Sequence, residues 1–491
     1  MSHKLHNWIG GVATPPKDKR YFDNLNPATN RVLCQIPRSN ATDVDAAVKA
    51  AQRAFPAWAH TSVAERADLL EEIAHAISRR MDEFAETESR DQGKPVGLAR
   101  SVDIPRAISN FRFFASAVRQ LGSDSFPMPG AMNYTTRKPI GIVGLITPWN
   151  LPLYLLSWKT APALAMGNCI VAKPSELTPM TAHLLADVFA EIGAPNGIFN
   201  LIQGYGGECG QAIVEHPDIK AISFTGGTET GSRVAATAAP IFKKLSLELG
   251  GKNASVVFED CDFEKTIAGT VRAGFANQGE ICLCGSRVLV QRSIFERFRD
   301  AYVAKVNALT VGDPSREDTD IGALNSLAHR DKVRGYIDLA QSEGGEILTG
   351  GNIPSLDPPH DKGAFLRPTV IDGLTIDSRT ATEEIFGPVV TLHPFDDEEE
   401  AIRLANCTRY GLAASVWTKD LSRAHRVAEK LDVGMVWVNT WLLRDLRVPF
   451  GGVKASGVGR EGGRWSLEFF SENKNICIQL DGLNNAPGGS S

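Results

Sequence analysis

The spacing of apolar positions along the chain changes character partway through. In the first third, apolar residues recur at three- and four-residue intervals, which predicts amphipathic helices over 42–57 and, after Ser62-Val63-Ala64-Glu65, over a long run to about 91. That quartet has capping-box spacing, in which the serine hydroxyl and the glutamate carboxylate each satisfy a free N–H at a helix start. Gly93 and Pro95 stop the run, and a further helix over 99–121 carries Arg106 within DIPRAISNFRFF. From Ile140 the pattern becomes short apolar runs, IGIVGLI, NCIVAK, IFNLI and AISF, each closed by Gly, Pro or polar residues and followed by helical spacing. This alternation predicts an α/β fold with a parallel sheet and crossover helices.

Parallel sheets bind ligands at the carboxyl ends of their strands, so the residues that close these runs carry the information. They are Thr147-Pro148-Trp149-Asn150, Lys173-Pro174-Ser175-Glu176, Gly204-Tyr205-Gly206 and Phe224-Thr225-Gly226-Gly227. No G-x-G-x-x-G occurs among them, and the glycine pair at Gly226 and Gly231 lacks the lysine of a phosphate-binding loop. Topology therefore allows a dinucleotide site that the usual fingerprint does not mark. A second α/β segment is expected from Asn253, with strands at 254–258 and 287–291 and helices at 263–277 and 294–309. A surface loop is expected over 350–363 and a disordered tail over 483–491.

With 491 residues, 43% of them hydrophobic, the chain should form two or more domains. Its net charge of −5 argues against nucleic acid and anionic membranes as partners. The eight cysteines form no disulfide framework, Cys282-Leu283-Cys284 is too isolated for a zinc site, and no metal is expected. The opening residues lack a signal-peptide core and no apolar run reaches membrane-spanning length, so a cytoplasmic location is expected.

Candidate chemistry centres on 275–287, FANQGEICLCGSR, where Cys282 falls in a turn between a predicted helix and a strand. A thiol there can be reached by substrate; it can equally be a buried structural cysteine. Its possible partner is Glu248, 34 positions earlier, at the end of a strand that runs into Gly250 and Gly251. As chemistry the pair supplies a nucleophile and a base. As scaffolding, Glu248 caps a turn.

ELGGK followed by F-x-x-x-G-x-x-C resembles the paired signature of the aldehyde dehydrogenase superfamily. TPWN, KPSE, FTG, EEIFGP and a closing FGGxxxSGxGRE stand in the family's order, so the resemblance covers nearly the whole chain. It implies a Rossmann-like NAD-binding domain of 1–122 and 138–250, an α/β catalytic domain of 251–450, and a small oligomerisation β-extension of 123–137 and 468–482. A homodimer or homotetramer follows. It further implies Cys282 as nucleophile, the Asn150 amide and the Cys282 N–H as oxyanion donors, and Glu248 as the base that activates water. NAD would be held by Trp149, Lys173, Glu176, Gly206, Gly226, Gly227, Glu384 and Phe386. A carboxylate at Glu176 suits free ribose hydroxyls and repels a 2′-phosphate, which favours NAD over NADP. Gly227 stands where many relatives carry serine, which leaves one phosphate contact open.

Arg106 and Arg444 match the residues with which the 2-aminomuconic and 2-hydroxymuconic semialdehyde dehydrogenases of that family hold a substrate carboxylate. Guanidinium suits this task because two parallel charge-assisted bonds fix orientation as well as charge. The plain alternative is that both are surface ion-pair residues, with Asp103 and Asp445 close in sequence. The expected reaction is oxidation of a carboxylate-bearing semialdehyde to the dicarboxylic acid. The alternatives are a broad aldehyde oxidiser of retinal-like or aliphatic aldehydes and, remotely, a non-catalytic structural protein recruited from the family.

Overall fold

The computed structural model describes residues 3–480, so the expected tail of 483–491 lies outside the described residues. Two large sheets organise the molecule. In the first, five parallel strands run in the order Lys244–Glu248, Ile219–Thr225, Ile142–Ile146, Cys169–Lys173, Phe199–Leu201. Short antiparallel strands extend both edges, Gly457–Val458 on one side and the hairpin Asn7–Ile9/Val12–Thr14 on the other. Ile142–Ile146 and Cys169–Lys173 are buried along their whole length, as expected for strands covered on both faces by helices. Strand order reverses at Ile142–Ile146, and the crevice of a doubly wound sheet opens at such a reversal. Thr147–Asn150 and Gly226–Gly227 leave the sheet at that crevice.

The second sheet has seven strands, six of them parallel, in the order Glu346–Thr349, Thr369–Asp372, Val389–Phe395, Arg287–Gln291, Ala254–Val257, Ala413–Trp417, Met435–Val438. The chain enters it directly from Glu248, so the carboxyl end of the first sheet faces the amino end of the second. A third sheet pairs Ser471–Gln479 with Ala131–Pro139 and Ser125–Met128. It stands clear of the core, with Phe126, Met128 and Ile478 exposed.

Helix expectations hold in kind and shift in extent. The first helix is Ala41–Ala59, and Ser62 and Glu65 form the expected capping box. The long run beyond it is two helices, Val63–Arg79 and Met81–Gln92, because Arg80 leaves helical geometry at φ −108°, ψ 22°. Gly93 then closes the second in the left-handed region at φ +97°. The helix expected over 99–121 begins with a π-helical turn, Ala99–Asp103, and continues regularly as Ile104–Arg119. π-turns insert a residue and often accompany functional sites.

Candidate active site

A cavity of about 770 Å³ lies where the two sheets meet, lined by Trp149, Asn150, Tyr154, Lys173, Glu176, Gly206, Gly226, Gly227, Gly250, Cys282, Glu384, Phe386 and Arg444 among others. Cys282 lines it from the segment before the strand Arg287–Gln291, whereas Glu248 does not line its wall and lies just behind Leu249 and Gly250, which do. Glu248 ends the last strand of the first sheet; it is buried, and neither carboxylate oxygen has a hydrogen-bond partner. It therefore caps no turn. Burial, and then the charge of Glu461, raise its pKa well above the ordinary carboxylate value. Glu461 is held by buried Lys159 at 2.6 Å, and Lys159 also donates to the Ser223 hydroxyl at 2.9 Å.

Cys282 follows a tight left-handed turn. The helix Phe263–Phe275 stops short of its expected end, and Asn277, Gln278 and Gly279 all take positive φ, +52°, +57° and +72°. Two consecutive non-glycine residues in that region are costly, about 1–2 kcal/mol each. Side-chain bonds hold them there: Asn277 Nδ2 donates to the carbonyls of Asn150 and Glu280, and Gln278 Nε2 to that of Ala323. Gly279 is sterically required, since a Cβ there would lie 2.2 Å from the Gly387 carbonyl oxygen. After the turn, Asn253 Nδ2 donates to the carbonyls of Cys282 at 2.7 Å and Cys284 at 2.9 Å. Burial, with the negative charges of Glu384 and Glu248 adding to it, pushes the Cys282 thiol far up, so the resting group is a neutral thiol.

The Asn150 side chain donates to the Glu280 carbonyl at 2.8 Å, a contact across 130 residues rather than a local turn bond. Its own backbone carbonyl accepts from Lys94 Nζ at 3.0 Å, and Lys94 is ion-paired with buried Asp103. Asn150 is thereby fixed at both ends.

At the other end of the cavity, Lys173 Nζ lies 2.9 Å from Glu176 Oε2. Burial opposes ionisation of Glu176, but the Lys173 charge and hydrogen bond outweigh it and hold the carboxyl below its ordinary value. Gly226 and Gly227 lead into the helix Thr228–Ala238, whose first turn has no side-chain cap. A Cβ at Gly226 would meet the Phe224 ring at 2.5 Å, whereas at Gly227 it would meet nothing within 4 Å. An open, uncapped helix start beside glycines is a ready anion site, and the fit to a dinucleotide pyrophosphate is good. Glu384 accepts from Gly251 N at 2.9 Å, and a Cβ on Gly250 would lie 2.1 Å from its Oε2. Phe386 and Trp149 meet edge to face at 5.3 Å, and His329 bonds the Phe386 carbonyl at 2.7 Å.

The chain matches the aldehyde dehydrogenase family model over residues 14–476. It belongs to that family. It is 50% identical to the 2-aminomuconic semialdehyde dehydrogenase of Mus musculus, over 97% of this chain and 98% of the relative. It is 46% identical to the 2-hydroxymuconic semialdehyde dehydrogenase of Pseudomonas sp. strain CF600, over 97% and 100%. The betaine aldehyde dehydrogenase of Staphylococcus aureus, solved with NAD+, superposes with a TM-score of 0.94 at 37% identity, covering 97% of this chain and 95% of that one.

Within this aldehyde dehydrogenase the two arginines are not the ion-pair residues of the plain alternative. Asp103 is taken by Lys94, and Asp445 by Arg447 at 2.6 Å. Arg444 instead lies against the rings of Phe450 and Trp158, its Cζ 4.0 and 5.1 Å from their centres. Its Nη1 donates to the Tyr154 hydroxyl at 2.9 Å, while Nη2 is buried without a partner. Arg106 does not line the cavity wall; its Cζ lies 5.5 Å from the centre of the Tyr154 ring. Asn253, Asn277, Lys94, Tyr154 and the Lys159–Glu461 pair escape a reading of the sequence. Glu461 had the nearest signal, in the closing SGVGRE, but its reach to Lys159, 302 positions earlier, is visible only in three dimensions.

Proposed function

We propose that the protein oxidises a semialdehyde bearing a carboxylate, of the 2-aminomuconic or 2-hydroxymuconic type, to the dicarboxylic acid, with NAD as acceptor. The observation that carries this reading is Arg444, which lines the cavity with a buried, unpartnered Nη2, backed across the Tyr154 ring by Arg106, with no carboxylate bound to either among the described residues. Partly buried cations without a counter-ion are costly unless a ligand supplies one.

In this reading Cys282 gives its proton to a base and attacks the aldehyde carbon, forming a thiohemiacetal. The Asn150 amide and the Cys282 N–H donate to the developing oxyanion; one such donor is worth about 2.7–4 kcal/mol. NAD, when bound, would supply the hydride acceptor for oxidation of this adduct to a thioester. Glu248 then takes a proton from the water that releases the acid. Lys173, Glu176 and Gly206 would hold the adenosine end, Gly226 and Gly227 the pyrophosphate, and Trp149, Glu384 and Phe386 the nicotinamide end. The unpaired outer strands of the three-stranded sheet support assembly as a homodimer or homotetramer through that arm.

Following NADH absorbance with adipic semialdehyde and with hexanal, of equal carbon count, tests the reading. The charged substrate should have kcat/KM higher by about tenfold or more, and Cys282→Ala should abolish turnover of both. Equal kcat/KM values would reduce the assignment to a general aldehyde dehydrogenase.

A further inference from the structure

The geometry points to Tyr154 as the residue that sets specificity for the substrate's carboxylate, by orienting Arg444 and holding it apart from Arg106. This inference rests on the proposed reading of the two arginines. Tyr154 lies in the helix Pro152–Ala165, four positions after Asn150 and four before Trp158. One helix start thus carries the proposed oxyanion donor, and its next two turns carry two of the groups that touch Arg444.

Like charges brought together repel. Burial lowers the pKa of Arg106, Tyr154 opposes that shift, and the charge of Arg444 adds to it, so each cation feels the other. Tyr154 stands between them with two different faces. Its hydroxyl accepts from Arg444 Nη1 at 2.9 Å, and its ring faces the Arg106 guanidinium at 5.5 Å, where the negative quadrupole of the ring attracts a cation. A guanidinium is planar, so anchoring Nη1 on the hydroxyl and the flat face on Phe450 and Trp158 fixes the direction of the remaining nitrogens. The buried, unpartnered Nη2 is left to bind an anion. Arg444 and Tyr154 both line the cavity that holds Cys282. An anion entering between the arginines relieves their repulsion, and the ordering of Arg444 has already been achieved before it binds.

Tyr154 is in this sense a positioning residue, acting on substrate through Arg444. Two substitutions separate its parts: Tyr154→Phe keeps the ring and removes the hydroxyl, and Tyr154→Leu removes both. The readout is the ratio of kcat/KM for adipic semialdehyde to that for hexanal. Tyr154→Phe should lower this ratio about tenfold, chiefly by raising KM for the charged substrate with kcat held, since Arg444 loses its anchor and must then be ordered as the anion binds. Tyr154→Leu should lower it further, because Arg106 also loses its ring. A purely structural role would depress both substrates together and leave the ratio where it was. That result in Tyr154→Phe, alongside a ratio that falls in Arg444→Ala, would overturn the role of Tyr154 and leave the carboxylate reading intact. A ratio unmoved in Arg444→Ala would overturn both. Thermal unfolding of each variant, with its hexanal turnover, identifies any that fail to fold; should Tyr154→Leu fail, Tyr154→Phe decides alone.

Discussion

Glu248 is buried with both carboxylate oxygens unbonded, an arrangement that costs about 1–3 kcal/mol per unsatisfied group and that folded proteins keep mainly where chemistry needs it. Its raised pKa sets the direction of a pH effect. Below that pKa the group is protonated and cannot take a proton from water; above it the base is available, so release of the acyl group should speed up as pH rises. Glu461 is the neighbouring charge that raises the value, and the Lys159 charge lowers it. Glu461→Gln should therefore move the pH–kcat profile toward acid, as read from steady-state rates across the profile. Glu248→Ala should give a burst of NADH followed by a stall, with the acylated enzyme visible by mass spectrometry. Full-rate turnover with no trapped acyl group would remove Glu248 from the mechanism.

Among the elements, the left-handed turn before Cys282 is the one that sequence spacing hides. FANQGEIC gives away the thiol and a helix leading to it, and helical periodicity alone carries that helix to 277. The helix ends at Phe275 because Asn277 and Gln278 gain more from bonding the Asn150, Glu280 and Ala323 carbonyls than from another turn, and two of those partners, Asn150 and Ala323, lie 127 and 45 positions away. The parallel strands were legible for the opposite reason: strands covered on both faces are continuous apolar runs, and their polar closing residues are the cavity lining. The closing groups of the first sheet suggested a dinucleotide site without its fingerprint, and an uncapped helix start beside Gly226 and Gly227 now stands where the fingerprint would. The break at Arg80 has no such local signal. Gly279→Ala tests the turn: its Cβ would press on the Gly387 carbonyl and its φ would lie in the left-handed region. Loss of at least about 1–2 kcal/mol of stability is expected, together with a fall in kcat as the Cys282 loop shifts. Wild-type melting temperature and kcat would show that the turn is not under this constraint.

At the scale of the whole molecule, buried polar groups tie together the elements around the cavity, and Glu280 is one that joins several of them. Its carboxylate accepts from Gln92 Nε2 at 2.7 Å and from Asn325 N at 3.0 Å, and its backbone carbonyl accepts from Asn150 and Asn277. It thus ties the helix Met81–Gln92, the loop before Leu327 and the Cys282 turn to one residue. Burial raises its pKa to about 8, against the hydrogen bonds, which lower it. Because the folded value exceeds the unfolded one, the folded state binds the extra proton, and the stability this brings is complete below the ordinary carboxylate pKa. It is lost as pH rises through the interval up to about 8, at no more than about 1.4 kcal/mol per pH unit. Glu88 and Asp91, buried and each raised to about 7, add to the same trend. Denaturant unfolding should therefore show stability declining from acid pH to about 8 and the Glu280 contribution flat above it. Glu280→Gln cannot ionise and keeps an acceptor for Asn325 N, so its stability should fall less steeply over that interval, with the difference from wild type closing or reversing at the alkaline end. Parallel curves for the two proteins would mean that Glu280 ionises over the same pH range folded and unfolded, and the pH dependence would then belong to Glu88 and Asp91.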